Sequence, residues 1–205
     1  MKRVLISVYD KTGIVDFASQ LVKLSWDIIS TGGTAKVLKK AGISIIPIEK
    51  ITGNHEVFDG RIKTISFQIE GAILFDRDDK KHLKEAKKLR ILPIDMVVCN
   101  FYPFKKVISR KKCTIMEAIE NIDIGGPTMI RAAAKNYKHV IPVIDPKDYK
   151  TVLEYLRGKS GFPEGMRLQY AQKAFGITAE YDKEISRYLK NVSQKTIQNR
   201  AQKTL

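Results

Sequence analysis

Asp123 and the glycine pair Gly125–Gly126 stand just ahead of a helical pattern that we predict to run from Pro127 to Asn136. A Gly-Gly turn has no Cβ, so a ligand can reach its backbone N–H groups, and the helix start behind it favours negative charge. Lys135 follows about two helical turns after Pro127. The spacing predicts an anion site with one carboxylate and one lysine. An ordinary tight turn capped by Asp123 is the alternative.

A second glycine-rich turn, Ser30-Thr31-Gly32-Gly33-Thr34, follows the apolar pair Ile28–Ile29 and precedes a stretch with helical spacing. Parallel α/β folds bind phosphate at such a turn, where a strand is followed by hydroxyls, glycines and a helix. The turn lacks the Gly-Lys-Ser/Thr ending of the nucleoside triphosphate loop and the spaced glycines of the dinucleotide fingerprint. It therefore predicts a site for a single phosphate or carboxylate.

Strand and helix patterns alternate along the chain. We predict strands at residues 3–8, 26–29, 44–48, 71–75, 95–100 and 139–144. We predict helices at 11–24, 34–41, 80–89, 115–120, 127–136 and 146–156, and a longer helical region at 164–189 that breaks near Gly176. This alternation predicts an α/β fold with a doubly wound, mainly parallel sheet, whose ligands bind at the carboxyl ends of the strands.

Polar residues that follow the predicted strands should share that carboxyl edge. They lie at 9–11, 30–34 and 100–104, and the loop at 123–126 can reach the same edge. The long connection at 52–64 carries Arg61, Lys63 and Thr64, and connections of this length are often functional or disordered. A solvated basic loop is the plainer interpretation of the two cations.

Length and composition limit the classes of protein that fit. A chain of 205 residues can bury a substantial core, which predicts one domain with an appended helical segment. No apolar stretch approaches the ~20 residues of a membrane span, and a strand rather than a signal peptide follows Met1. We therefore expect a cytoplasmic protein with no membrane partner and with reduced cysteines. No metal is predicted, because no pair among His55, His82 and His139 has a zinc-ligand interval.

The formal net charge of +15 makes nucleic-acid binding a hypothesis to weigh. However, the lysines form no stripe interleaved with aromatic residues. Residues 76–90 mix both signs, 105–112 form a short loop cluster, and 190–205 form a polar tail without acids. We interpret these segments as solvated faces with a frayed or disordered tail, so no nucleic-acid partner is predicted. The positive field attracts small anionic substrates equally well.

Six motifs stand in one order along the chain. They comprise residues 7–8 with 10–15, then 30–35, 60–64, 100–104, 120–127 and 132–136, and Thr178-Ala179 with Tyr181-Asp182 follow near the C-terminus. Together they resemble the inosine monophosphate (IMP) cyclohydrolase domain, which in most organisms is the N-terminal half of the bifunctional AICAR transformylase/IMP cyclohydrolase. The resemblance spans residues 3–189. It implies a fold like that of methylglyoxal synthase with an added C-terminal helical segment.

The resemblance also implies an organisation and partners. Residues 1–189 would form the cyclohydrolase domain, with a core at 1–145 and a helical segment at 146–189, and 190–205 would form a basic tail. A homodimer is implied, and no cofactor is needed, because the reaction involves neither a redox change nor a group carrier. Either the formyl-transfer half is a separate AICAR formyltransferase, or this sequence is a piece of a longer protein.

The implied reaction closes the last ring of the purine. The carboxamide nitrogen of 5-formamidoimidazole-4-carboxamide ribonucleotide attacks the formyl carbon, and water then leaves to give IMP. By resemblance, Lys63 and Tyr102 orient and polarise the formyl group, while Asp123 and Lys135 handle the carboxamide. The other matched positions would bind the substrate, with Lys11, Ser30, Thr31, Gly32, Gly33 and Thr34 as a phosphate cradle and Arg61, Thr64, Asn100, Ile124, Gly125 and Gly126 as further contacts.

Several positions depart from the family pattern. Ser66 and Glu70 replace two histidines, Tyr9 replaces a serine, and Ile177 replaces another histidine. The four inferred acid–base groups remain, so we expect activity with altered substrate contacts. Methylglyoxal synthase and a non-catalytic ligand-sensing domain of the same fold stay as alternatives. A sensing domain would keep residues 30–34 but have little need for the four acid–base groups together.

Overall fold

Five parallel strands form one sheet with the order β3-β2-β1-β4-β5. The computed structural model describes residues 1–58, 61–158 and 160–202, with side chains described through residue 194. The strands are β1 (Lys2–Val8), β2 (Trp26–Ser30), β3 (Ile46–Pro47), β4 (Met96–Asn100) and β5 (Ile141–Val143). Successive strands are added outward on both sides of β1, which confirms the predicted doubly wound sheet.

Helices connect the strands. They are α1 (Ile14–Lys23), α2 (Gly32–Lys40), α3 (Glu49–Thr52), α4 (Phe67–Leu74), α5 (Lys80–Lys88), α6 (Phe104–Ile108), α7 (Ile115–Glu120), α8 (Gly125–Lys135), α9 (Tyr149–Arg157) and α10 (Glu164–Gln202). A 3₁₀ turn at Pro146–Asp148 leads into α9. Across the described part of the chain, no helix combines the length and apolar character that a membrane span requires.

The sheet is buried on both faces. Val4 and Ile6 of β1 point to one face and Leu5 to the other, since side chains alternate along a strand. Apolar side chains of α1 and α9 cover the first face, and those of α4 and α8 cover the second. Each aliphatic side chain buried in this way contributes about 1.5–3 kcal/mol. Burial on both faces explains the continuous apolar run from Val4 to Ile6 in β1.

The chain divides into two compact units, each made of two segments. Unit 1 comprises Met1–Phe101 and Ile124–Phe175 and contains the sheet. Unit 2 comprises Tyr102–Asp123 and Gly176–Leu205 and contains α6, α7 and the second part of α10. In unit 2, the ring of Phe104 meets Tyr181 and Tyr188 edge-on, with ring centroids 6.4 Å and 5.6 Å apart. The domain limits implied by the family resemblance stay a prediction.

The strand predicted at 71–75 is wrong, because residues 71–74 belong to helix α4 and Phe75 follows its end. Ser66 caps the helix by accepting a hydrogen bond from the Ile69 backbone N–H at 3.1 Å. Ile69, Ala72 and Ile73 are all buried, which is the spacing of one helix face. A short apolar run fits a strand and a buried helix equally well. The periodicity of five residues was therefore too short to distinguish the helix from a strand.

Several further predictions are wrong at the limits of helices. Helix α8 begins at Gly125 rather than Pro127, and Ile124 rather than Asp123 occupies its N-cap position. Helix α10 is not broken at Gly176, since one interior glycine costs only about 1 kcal/mol, and it continues to Gln202 where a frayed tail was expected. Residues 203–205 of that tail lie outside the described residues. Helix α6 begins at Phe104 and covers the first part of the predicted 105–112 loop cluster.

Candidate active site

Asn100 ties together the carboxyl ends of β1 and β4. Its Oδ1 accepts hydrogen bonds from the backbone N–H groups of Tyr9 and Asp10, both at 2.8 Å, and its Nδ2 donates to the Asp10 carbonyl at 3.0 Å. These bonds fix the loop that carries Lys11. The amide of Asn100 is therefore used to shape the loop, and its role as a substrate contact stays a prediction.

The hydroxyls of Ser30 and Thr34 also form hydrogen bonds to backbone groups of β1. Ser30 Oγ donates to the Ile6 carbonyl at 2.8 Å. Thr34 Oγ1 donates to the Val8 carbonyl and accepts from the Val8 N–H, both at 3.0 Å. Both side chains are buried. They hold β2 and the start of α2 against β1, so they position the predicted phosphate cradle from behind.

The start of α2 is left open. Thr31, its N-cap residue, makes no side-chain capping bond, and its buried Oγ1 has no hydrogen-bond partner among the described residues. Gly32 has φ +53°, in the left-handed region that favours glycine. The first N–H groups of a helix need partners from outside the helix. This helix start therefore offers N–H donors and one hydroxyl to an anion.

Two lysines stand over the glycines at this helix start. A Cβ at Gly32 would lie 3.6 Å from Nζ of Lys63, and a Cβ at Gly33 would lie 3.9 Å from Nζ of Lys11. Nζ of Lys11 also donates to the Tyr9 carbonyl at 3.0 Å, which holds it in place. Opposite unit charges ~4 Å apart near a protein surface interact by about 4 kcal/mol, against about 0.3–1 kcal/mol for a helix terminus. The lysines are the stronger attraction for an anion here.

The start of α8 is joined to the same region by Thr64. A Cβ at Gly125 would lie 2.8 Å from Oγ1 of Thr64, a distance too short for any side chain at this position. Ile124, the N-cap residue, makes no side-chain capping bond. Lys63 lies against the start of α2 and Thr64 against the start of α8. These two consecutive residues therefore bring both glycine-started helices together within unit 1.

Tyr102 and Asp123 lie in unit 2, where one hydrogen bond holds the backbone of Asp123. Its N–H donates to the Tyr181 hydroxyl at 2.8 Å. Burial raises the pKa of Tyr181, so this hydroxyl stays protonated near neutral pH. Tyr102 is 49% exposed and immediately precedes the N-cap residue of α6. Sequence reasoning gave Tyr181 no role, because the residue is 58 positions from Asp123 and only the fold brings them together.

The remaining predicted residues lie further from the cradle or on the surface. Lys135 is the last residue of the 11-residue helix α8, about 15 Å along the helix axis from Gly125. A lysine in this position also complements the negative end of the helix, which is the plainer interpretation. Arg61 is exposed. Burial raises the pKa of Glu70, one of the departures from the family pattern, and its Oε1 has no partner among the described residues.

The fold and this site define a class: a doubly wound α/β domain that binds an anion at the carboxyl edge of its sheet. The family model described as the MGS-like domain matches residues 13–128, and that of the AICARFT/IMPCHase bienzyme matches residues 133–205. The chain belongs to the family of MGS-like domains, and within it corresponds to the N-terminal portion of PurH proteins.

Relatives that are similar over nearly the whole chain support this assignment. The bifunctional purine biosynthesis protein PurH of Thermoanaerobacter sp. (strain X514) is 51% identical over 188 residues, which is 92% of this chain. PurH of Acetivibrio thermocellus is 50% identical over 190 residues, 93% of this chain. The chain spans 37% of the length of each. The crystal structure of ForH has a TM-score of 0.83 and 34% identity, covering 91% of this chain and 95% of that one.

Proposed function

We propose that this chain is an IMP cyclohydrolase of de novo purine biosynthesis. It would convert 5-formamidoimidazole-4-carboxamide ribonucleotide to IMP and water. The observation that carries the proposal is the open start of α2 with Lys11 over it, which suits the phosphate of a ribonucleotide, and with Lys63 beside it. The family of the chain and the purine-biosynthesis relatives support the same assignment.

The cradle would bind the phosphate of the substrate and would not contact its base. The N–H groups that begin α2 and the hydroxyl of Thr31 would donate hydrogen bonds to the phosphate oxygens, and Lys11 would supply charge. These contacts exist in the ground state and the transition state alike, so they would lower KM without raising kcat. Their chemical value is orientation, since ring closure needs the carboxamide nitrogen held close to the formyl carbon.

Ring closure forms one C–N bond and breaks one C–O bond. The carboxamide nitrogen attacks the formyl carbon and loses a proton, and the formyl oxygen gains a proton to give a tetrahedral intermediate. The hydroxyl then leaves as water while the formamido nitrogen loses its proton. Lys63 and Tyr102 would donate to the formyl oxygen as negative charge develops there. Asp123 and Lys135 would be the acid–base groups for the proton that leaves the carboxamide nitrogen.

Lys135 has the least structural support among these four residues. A catalytic role predicts that Lys135→Leu lowers kcat on the order of 10² or more. A role only at the end of α8 predicts unchanged kcat and a loss of stability of about 0.3–1 kcal/mol. Steady-state kinetics together with thermal unfolding of this one variant separates the two interpretations.

The decisive experiment is an ultraviolet assay of the purified chain with the formylated ribonucleotide, before and after treatment with a chelator. We expect IMP formation that does not change on chelation and that Lys63→Leu slows on the order of 10² or more. IMP formation no faster than in buffer would overturn the proposal. Tight IMP binding without turnover would favour the ligand-sensing alternative. Production of methylglyoxal from dihydroxyacetone phosphate would favour methylglyoxal synthase.

We further propose that the chain forms a homodimer, as the family resemblance implies. On α10, Leu168 is 51% exposed and Phe175 is 38% exposed, whereas Ala171 is buried within its own unit. Light scattering at micromolar concentration should give the mass of two chains, and a monomer would contradict the proposal. A separate formyltransferase partner and a cytoplasmic location stay predictions.

A further inference from the structure

Asp76, Asp78 and His139 form a cluster in unit 1 away from the cradle. Nε2 of His139 lies 3.0 Å from Oδ1 of Asp76 and 3.7 Å from Oδ2 of Asp78. The three ligand atoms all lie within 4.8 Å of one another. The His139 side chain is only 12% exposed, whereas the two aspartates reach the surface. One mostly buried imidazole and two surface carboxylates therefore converge on one point.

The spacing of these atoms fits the coordination shell of a small divalent cation. Zinc binds imidazole nitrogen at about 2.0–2.1 Å and carboxylate oxygen at about 2.0–2.2 Å, so two ligand atoms of a tetrahedron lie roughly 3.3–3.5 Å apart. The separations from Nε2 of 3.0 Å and 3.7 Å fall on either side of that value. Small side-chain rotations would suffice for binding. Two carboxylates and a neutral imidazole also balance the charge of a divalent ion.

Neighbouring groups hold the ligands in position. The Asp78 N–H donates to Oδ1 of Asp76 at 2.9 Å, and the Asp76 N–H donates to Nδ1 of His82 at 3.1 Å. Partners of this kind orient metal ligands and tune their affinity. Arg77, between the two aspartates, pairs with Asp95 at 2.7 Å, so its charge is engaged outside the cluster. His82 is thus a positioning residue through Nδ1.

The cluster lies at the opposite edge of the sheet from the cradle. His139 lies two residues before β5, whereas the cradle follows the end of β2, and all the strands are parallel. A cation bound here would not touch the phosphate site. It would instead join the loop after α4 to the loop before β5, two segments that the chain itself does not connect locally.

We propose that Asp76, Asp78 and His139 bind one divalent transition-metal ion of the zinc class, with water completing the coordination. Imidazole favours such ions over magnesium or calcium. Imidazole binds a metal through a ring-nitrogen lone pair, so the ion would take the place of the hydrogen bond between Nε2 of His139 and Oδ1 of Asp76. The plainer interpretation is an ion pair and hydrogen-bond cluster that needs no metal. Lys138, Lys80 and Lys81 are close in sequence and would oppose a cation.

Calorimetric titration of tag-free, chelator-treated full chain with zinc chloride tests the proposal. We expect one site per chain in the unaltered protein. His139→Gln and Asp78→Asn should each weaken zinc binding by about tenfold or more, since even outer partners of metal ligands contribute that much. His55→Gln, which removes an exposed histidine outside the cluster, is the matched control and should leave affinity unchanged.

A second measurement keeps the proposal testable if His139→Gln is poorly folded. Asp78 is 81% exposed, so Asp78→Asn should keep the native circular dichroism spectrum and still lose zinc affinity. Zinc should raise the unfolding temperature of the unaltered chain and of His55→Gln, but not that of Asp78→Asn. No binding by the unaltered chain, or equal affinity in Asp78→Asn, would overturn the proposal. Cyclohydrolase turnover should be the same with and without zinc, so this test is independent of the proposed function.

Discussion

Helices α5 and α2 begin in opposite ways. At α5, the Asp79 carboxylate accepts hydrogen bonds from the N–H groups of Lys81 and His82, at 2.7 Å and 3.3 Å. At α2, Thr31 provides no side-chain cap, glycines follow it, and two lysine ammonium groups stand above them. The start of α5 is therefore capped by a carboxylate of the chain itself. The start of α2 is arranged to bind an anion from outside the chain.

The contrast separates stability from ligand binding. A side-chain cap adds about 1 kcal/mol to the folded state and fills the place that a ligand would take. An open start gives up that stabilisation and adds the mutual repulsion of two lysines, which a bound anion would relieve. The start of α8 is intermediate, since it has no side-chain cap but a Thr64 hydroxyl close to Gly125. We expect α2 to bind phosphate and α8 to approach the uncharged part of the substrate.

The largest effect is expected for Lys63→Leu. If Lys63 polarises the formyl oxygen, kcat should fall on the order of 10² or more with a smaller change in KM. Lys11→Leu is the matched control, because Lys11 contacts the same glycine pair and should mainly raise KM. Steady-state kinetics of the two variants checks this. If Lys63→Leu changed KM alone, Lys63 would belong to the cradle.

Thr31→Val should raise KM roughly tenfold, because a hydrogen bond to a charged group is worth about 1.5–3 kcal/mol. The free energy of unfolding of Thr31→Val should hardly change, since Oγ1 of Thr31 has no partner among the described residues of the free protein. Thr34→Val should behave differently, because it removes hydrogen bonds to the Val8 backbone and so lowers the free energy of unfolding by about 1–3 kcal/mol. Denaturant unfolding and kinetics on both variants measure the two effects. Equal KM values in unaltered protein and Thr31→Val would remove Thr31 from the cradle.

Gly32→Ala should destabilise the protein by about 1–2 kcal/mol, because its φ of +53° is unfavourable for any residue with a Cβ. It should also raise KM, since relaxation of that strain moves the N–H groups that face the anion. Gly42→Ala is the control: φ is +76°, and a Cβ there would meet nothing within 4 Å. We expect a similar loss of stability in both variants and a raised KM only in Gly32→Ala. Unchanged KM in both would show that the α2 start does not bind substrate.

The smallest effect is expected for Asp79→Ala. Removal of this cap should lower the free energy of unfolding by about 1 kcal/mol. kcat and KM should stay as in the unaltered chain, because α5 takes no part in the proposed site. Thermal unfolding and the ultraviolet assay together check the expectation. A changed KM would mean that α5 communicates with the cradle.

The sequence alone determined the fold class and the glycine-rich turn that joins β2 to α2. The apolar run at 3–8 predicted a strand, and the glycine-rich turn at 30–34 predicted a site for a single phosphate or carboxylate. Both signals are local: they depend on side-chain type and period, which adjacent residues share. Where a local signal was short, as at 71–75, a strand and a buried helix gave the same pattern, and packing against α8 decided for the helix.

Only the tertiary structure decided which distant residues meet. Lys11 and Lys63 are far apart in the chain, yet both reach the glycines of α2, because the strand order places the β1 and β2 ends side by side and the 61–66 segment returns to them. Asp76 and His139 are 63 positions apart and meet at the opposite edge for the same kind of reason. Sequence spacing carries no information on such pairs, since strand order and register set their distances.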